Sequence, residues 1–160
     1  MWQVAGRPFI SDELAAFLES GLSINIGTRD NELEPDGVIA WAARVHEDRE
    51  QLTIYLHKAA ADAMVRNLRV HPQIAVLFER PTSHRGCQVK GSFVSTRAAK
   101  AAERAEVEKQ IDGFCADLEG IGIPRALASG YQIWPCAAIQ MRATELFEQT
   151  PGPGAGEPLQ

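Results

Sequence analysis

Residues 23–28, SINIGT, alternate polar and apolar side chains, the period of a strand with one face in a core. Upstream, Leu14, Phe17 and Leu18 fall at i, i+3 and i+4 and predict a short helix. Ser11 is placed to cap it, Asp12 and Glu13 suit its positive end, and Gly21 closes it. RDNELEPDG (29–37) is a turn. GVIAWAARVH (37–46) predicts a long second strand, HEDREQ (46–51) a charged turn, and LTIYLH (52–57) a third strand. Leu52, Ile54 and Leu56 take one face of that third strand; Thr53, Tyr55 and His57 take the other. Connections this short predict an antiparallel meander.

The period then changes. Over 60–70 the apolar positions Met64, Val65 and Leu68 gather on one face of a helix, which His71-Pro72 stops. QIAVLFE (73–79) is a continuous apolar run and predicts a strand buried on both faces. CQVKGSFVS (87–95) predicts a fifth strand, with Gly91 marking a bulge or a close backbone approach. TRAAKAAERAEVEKQIDGFCADLE (96–119) has helical composition, capped by Thr96 and kinked or divided at Gly113. AAIQMRATELFEQ (137–149) alternates again and predicts a sixth strand. Hairpin-linked strands with few helices give an α+β fold, a small six-stranded antiparallel barrel with flanking helices. Residues 1–150 form one domain; the Pro/Gly-rich tail 151–160 cannot pack a core alone and reads as a loose tail or an arm on a partner subunit.

Composition narrows the function classes. A chain of 160 residues, 45% apolar, suits a single domain with a real core. A net charge of −5 argues against sequence-independent nucleic-acid binding, which needs clustered cations. No apolar run reaches the roughly 18–20 residues of a membrane-spanning helix. The opening MWQVAGRPFISDEL lacks the layout of a signal peptide, so the expected location is cytoplasmic. Cys87, Cys115 and Cys136 are odd in number, widely spaced and free of any C-x-x-C, which argues against a disulfide framework and a zinc ribbon.

The usual catalytic motifs, G-x-G-x-x-G, the P-loop, G-x-S-x-G and H-E-x-x-H, do not occur. His46, His57, His71 and His84 share no i, i+3 or i+4 spacing, so no metal site is expected. The paired carboxylates of RDNELEPD and HEDRE sit in turns, where acidic residues are common, and no catalytic residue can be named. Cations flank the second helix: Lys58 precedes its alanines and Arg66 follows, with His57 and Asn67 beside them. Such groups could hold a phosphate or simply be solvated. Gln88 and Lys90 share one face of the fifth strand, either ligand-lined or solvent-facing. Trp41 and Trp134 are stacking partners for a flat ring or ordinary packing residues.

Taken in order, SINIGTRD (23–30), GVIAWAARV (37–45), LTIYLHK (52–58), VRNLRVHPQIAVLF (65–78) and CQVKGSF (87–93) resemble the pyridoxamine 5′-phosphate oxidase-like family, the FMN-binding split barrels. The resemblance is good over about residues 10–95 and looser beyond. It implies a homodimeric split β-barrel with FMN in a cleft between two subunits. Its phosphate would lie near the start of the helix after the third strand, its ring along the second and third strands. Carried onto this chain, that places Trp41, Ala42, Ala43 and Arg44 along the ring, His57 and Lys58 at the strand end, Arg66 and Asn67 on the helix, and Gln88 and Lys90 from the fifth strand. The family's Ser-Arg-Lys-like triplet at the helix start is replaced here by Asp62, Ala63 and Met64. The implied function is a flavin-dependent oxidoreductase acting on a small molecule. A true pyridoxamine phosphate oxidase is not implied, because WPCAAIQMRATELFEQTPGPGAG does not show the Trp- and Arg-bearing ending of the vitamin-processing enzymes. The alternative is a non-enzymatic binding or sensing barrel with an altered or lost flavin site, taking another ligand such as haem or serving as an interaction module.

Overall fold

The structure, a computed structural model, describes residues 9–128 and 130–159. Helix α1 (Asp12–Leu18) starts at Ser11, whose hydroxyl accepts the Leu14 N–H at 3.1 Å. The chain then enters strands β1 (Ser23–Arg29), β2 (Pro35–Ala40), β3 (Ala42–Val45) and β4 (Gln51–His57). Helix α2 (Lys58–Val70) follows, then β5 (Gln73–Glu79) and β6 (Gly86–Ala98). A 3₁₀ turn (Ala101–Glu103), helices α3 (Arg104–Gly120) and α4 (Arg125–Ala128), and strand β7 (Cys136–Glu148) complete the order.

The seven strands form one antiparallel sheet in the order β2-β1-β5-β6-β7-β4-β3. β2 and β3 lie at opposite edges, yet only Trp41 separates them in the chain, so the sheet must curl round on itself. This is the split barrel the sequence implies, with one strand more than the six expected. The extra strand arises at Trp41. Ala40 and Ala43 both face the core, three residues apart, so the strand period of two is broken by one inserted residue. The barrel interior is filled by Ile24, Ile26, Leu52, Ile54, Leu56, Val76, Phe78, Val89, Ile139 and Met141. One end is plugged by α2, through Ala61, Met64, Val65 and Leu68.

Three further expectations are corrected. Thr96 does not cap a helix: β6 runs on to Ala98, held by pairing of Arg97 with Ala138 and of Ala98 with Ala137. α3 is continuous through Gly113, whose hydrogen faces the Ser20 carbonyl where a Cβ would come within 3.2 Å. The tail is not loose. Residues 151–159 fold back along β7, where Gly156 donates to the Glu148 carbonyl at 2.7 Å and Leu159 to Leu146 at 2.8 Å. Leu159 packs against the core. The bulge expected near Gly91 is present, with the β6–β7 register shifting between Lys90 and Gly91. A side chain at 91 would collide with the Arg142 carbonyl, so only glycine permits that approach.

Candidate functional site

Where β4 passes into α2, the extended backbone of His57 makes it the helix N-cap. His57 Nδ1 accepts the Ala59 N–H at 3.2 Å, and the Lys58 N–H donates to the Pro135 carbonyl at 2.8 Å. Two donors at the helix start are therefore used within the chain. The Lys58 ammonium pairs with Asp62 one turn on, at 2.5 Å. Ala63 is half-buried and Met64 is fully buried in the core, so neither supplies a donor. Arg66 is exposed and in no ion pair among the described residues. Asn67 donates to the Thr28 hydroxyl at 3.3 Å.

The outer face of β3, β4 and β7 is built in rows. Ala42, Tyr55 and Ala138 form one; Arg44, Thr53 and Gln140 form the next. α3 lies over the first row, with Val107 packed against Ala42, Tyr55, Cys136 and Ala138. At the free edge of β3, Gln110 Oε1 accepts the Ala43 N–H at 3.0 Å and its Nε2 donates to the Ala43 carbonyl at 2.8 Å. Ala42 is thus buried beneath the chain's own helix, and Ala43 in the barrel core. Arg44 stays exposed. Trp41 turns away from this face: its ring meets Tyr131 at 4.9 Å between centroids and lines a cavity against α3 and α4.

A charged network anchors the start of α3. Arg97 donates two bonds to the Glu103 carboxylate, at 2.8 and 2.6 Å, Tyr55 OH donates a third at 2.9 Å, and the Lys100 N–H a fourth at 2.7 Å. The Arg97 guanidinium is the main reason the Glu103 carboxyl drops to about 2, helped by the Lys100 and Tyr55 donors. Burial, and then the hydrogen bond to Glu103, push the Tyr55 phenol well above its usual value. Tyr55 therefore remains a neutral donor throughout the physiological range.

Gln88 and Lys90 occupy the other half of the sheet. Lys90 Nζ sits 4.7 Å from the Phe147 ring centroid. It borders an open groove of about 500 Å³ together with Gly27, Thr28, Arg29 and Ala75. A row of small residues, Gly37, Gly27 and Ala75, leads across the sheet to Lys90 and Glu145. β7 measures the separation of the two groups. His57 pairs with Cys136 and Gln88 with Phe147, eleven residues further along the same strand. At about 3.3 Å per residue that is a path of about 36 Å along a strand that curls with the barrel. One chain therefore carries Ala42, Arg44, His57 and Lys58 on β3, β4 and the start of α2, with Trp41 turned away and Ala43 in the core, and Gln88 and Lys90 on β6. Asn67 leans toward the second group, through Thr28.

Sequence reasoning missed Gln110 and the Arg97–Glu103–Tyr55 network. The signal for Gln110 was present: it falls within the apolar stripe of Val107, Ile111 and Phe114, and a polar residue there needs a buried partner. The network joins a strand, a turn and another strand, and no local spacing reports it. Among the described residues no group of three or more His, Cys, Asp or Glu side chains could hold a metal. Cys87, Cys115 and Cys136 are free and buried, and burial pushes the Cys87 thiol up to about 12 and that of Cys136 to about 11.

The family model for pyridoxamine 5′-phosphate oxidase matches residues 10–147. The HupZ protein of Group A Streptococcus superimposes with a TM-score of 0.55 at 12% identity, over 92% of this chain and 100% of that one. An F420 reductase gives a TM-score of 0.52 at 17% identity, over 82% and 93% of the two chains. An FMN-binding protein from Syntrophomonas wolfei subsp. wolfei gives 0.53 at 10% identity, over 83% and 81%. No curated protein sequence matches the chain. These structural likenesses are likenesses of fold. The family match runs from Ile10, just ahead of α1, to Phe147 in β7, and by it this chain belongs to the pyridoxamine 5′-phosphate oxidase family.

Proposed function

We propose that this chain is a flavin-binding member of its family, holding FMN in a cleft between two copies and acting as an oxidoreductase on a small molecule. The observation that carries the reading is that the His57–Lys58 region and Gln88–Lys90 pair with opposite ends of β7, eleven residues apart. In this reading a single flavin takes the two groups from different chains. The family supports the reading, as does a fold shared with proteins named FMN-binding protein and F420 reductase.

The helix start does not fit the phosphate grip that the family triplet would give. Asp62 neutralises Lys58, His57 already caps Ala59, and Met64 is committed to the core. Of the cations at the expected site positions, Arg44, Arg66 and Lys90 are in no ion pair among the described residues. In this reading they hold the FMN phosphate, with Lys58 as a weakened contributor. The flavin ring would supply hydride or electron transfer, and the chain's part is to bind and orient it.

The test is the visible spectrum of freshly purified protein, followed by titration with FMN and light scattering. A flavin spectrum or saturable uptake, at a mass of two chains, is the expected result. Replacing Lys58 and Arg66 together with alanine should weaken FMN binding by at least about 2 kcal/mol, from charge-assisted hydrogen bonds lost. A colourless protein that ignores FMN overturns the reading and leaves the family fold serving another ligand or a protein partner.

A further inference from the structure

A second site of different chemistry lies between the outer face of β1 and β2 and the segment α3–α4. It is a half-enclosed cavity of about 210 Å³. Ile39 and Trp41 line it from the sheet, Phe114 and Leu118 from α3, and Leu127 and Tyr131 from the segment that closes it. The Trp41 and Tyr131 rings stand 47° apart, which leaves an aromatic corner open to a third ring. At the sheet end are two polar side chains, Ser23 and Asn25, with the Asn25 amide 3.3 Å from the Ser23 hydroxyl.

Among the described residues, none lining the cavity is charged. The nearby charges are turned to one another: Arg125 pairs with Asp112 at 2.5 Å and with Glu119 at 3.4 Å. Those pairs tie α4 to α3 from outside. The closing segment buries Ala128 but leaves its large apolar side chains half in water, Leu127 at 68% exposed and Tyr131 at 52%. Ile39 opposite them is 51% exposed. Large apolar side chains gathered round a concavity and left half in water mark a site for an apolar ligand.

We propose that this cavity binds a small neutral aromatic molecule of one or two rings bearing a single hydrogen-bonding group. Its rings would lie among Trp41, Phe114 and Tyr131, and its polar group at Ser23 and Asn25. Size and charge set the class. An apolar cavity of about 150 Å³ takes benzene, so this one has room for a fused ring pair but not for FMN. A lining without charge penalises any ligand that keeps one. The site stands whether or not a flavin binds elsewhere.

Indole is the probe, with indole-2-carboxylate as its charged counterpart, measured by titration calorimetry and by ¹H–¹⁵N spectra of the labelled chain. Saturable indole binding with a Kd below about 1 mM is expected, together with a shift of the Trp41 indole N–H. Ile39→Trp, which fills the mouth, should abolish binding. Leu127→Ala should weaken it several-fold with no change in the unfolding midpoint. The carboxylate should bind at least tenfold more weakly than indole. Absence of saturation, equal binding by Ile39→Trp, or equal affinity for the carboxylate would each overturn the proposal.

Discussion

The Gln110 side chain holds both main-chain groups of Ala43, 67 residues away, at 3.0 and 2.8 Å. Ala43 lies on β3, an edge strand of the sheet, so its outward N–H and C=O would otherwise be open. A side-chain amide offers one acceptor and a donor pair, and here it replaces the missing neighbouring strand at one residue. The same contact fixes α3 in the split of the barrel. α3 also passes so close to Gly21, whose φ is +82°, that a side chain there would collide with the Gln110 carbonyl. Two residues in distant parts of the sequence, a glycine and a glutamine, thereby seat one helix.

Gln110→Leu keeps the volume of the side chain and removes the amide. It leaves the Ala43 N–H and C=O buried without partners. The expected loss is about 2–4 kcal/mol of unfolding free energy, read from urea denaturation. Gln110→Glu keeps an acceptor for the Ala43 N–H and should lose less at neutral pH. A change below about 0.5 kcal/mol in the leucine variant would mean that water serves the edge of β3 as well as Gln110 does.

The Arg97–Glu103 pair makes stability depend on pH in a defined window. Glu103 titrates near 2 in the folded chain, against an ordinary value of 4.5. A carboxyl whose pKa is depressed by folding contributes its full stabilisation above the unfolded value. That contribution falls away as the pH drops from about 4.5 toward 2. The Arg97 side chain is 40% exposed, so solvent screens the pair; its contribution is about 1–2 kcal/mol. Glu103→Gln should therefore be less stable than the parent at pH 6, with the gap closing at pH 2. A constant gap across that range would assign the effect to packing instead.

Much of the barrel is written in local pattern. SINIGT and LTIYLH alternate as strands, and their faces in the structure are those that the alternation assigns. The break at Trp41 leaves no such mark. GVIAWAARVH is a run without a turn residue inside it, and only the global curl of the sheet demands an inserted residue there. Thr96–Ala98 misleads in the opposite way. Its Arg97 and Ala98 suit a helix, but pairing along β7 outweighs that propensity of a few tenths of a kcal/mol per residue. The candidate site divides likewise. Lys58 and Asp62 stand four apart on a helix, so their pairing could be read directly. Gln110 and Glu103 act on residues of other elements, and only tertiary structure brings them together.

The Lys58–Asp62 pair also yields the sharpest test of the proposed flavin site. Both side chains are 57% exposed, so their bond adds only about 0.3–0.5 kcal/mol to stability. Its effect on an incoming phosphate is larger, because Asp62 both occupies the ammonium and repels the dianion. Asp62→Ser removes that carboxylate and restores a hydroxyl at the position where the family carries one. FMN affinity should rise by about 1 kcal/mol, roughly fivefold, while the unfolding midpoint barely moves. Lys58→Ala in the Asp62→Ser background should lose the part of the gain that runs through the freed ammonium and keep the part due to relieved repulsion. If Asp62→Ser binds FMN no more tightly than the parent, the helix start takes no part in holding phosphate. The grip then falls to Arg44, Arg66 and Lys90, and alanine at each of these in turn would show which carries it.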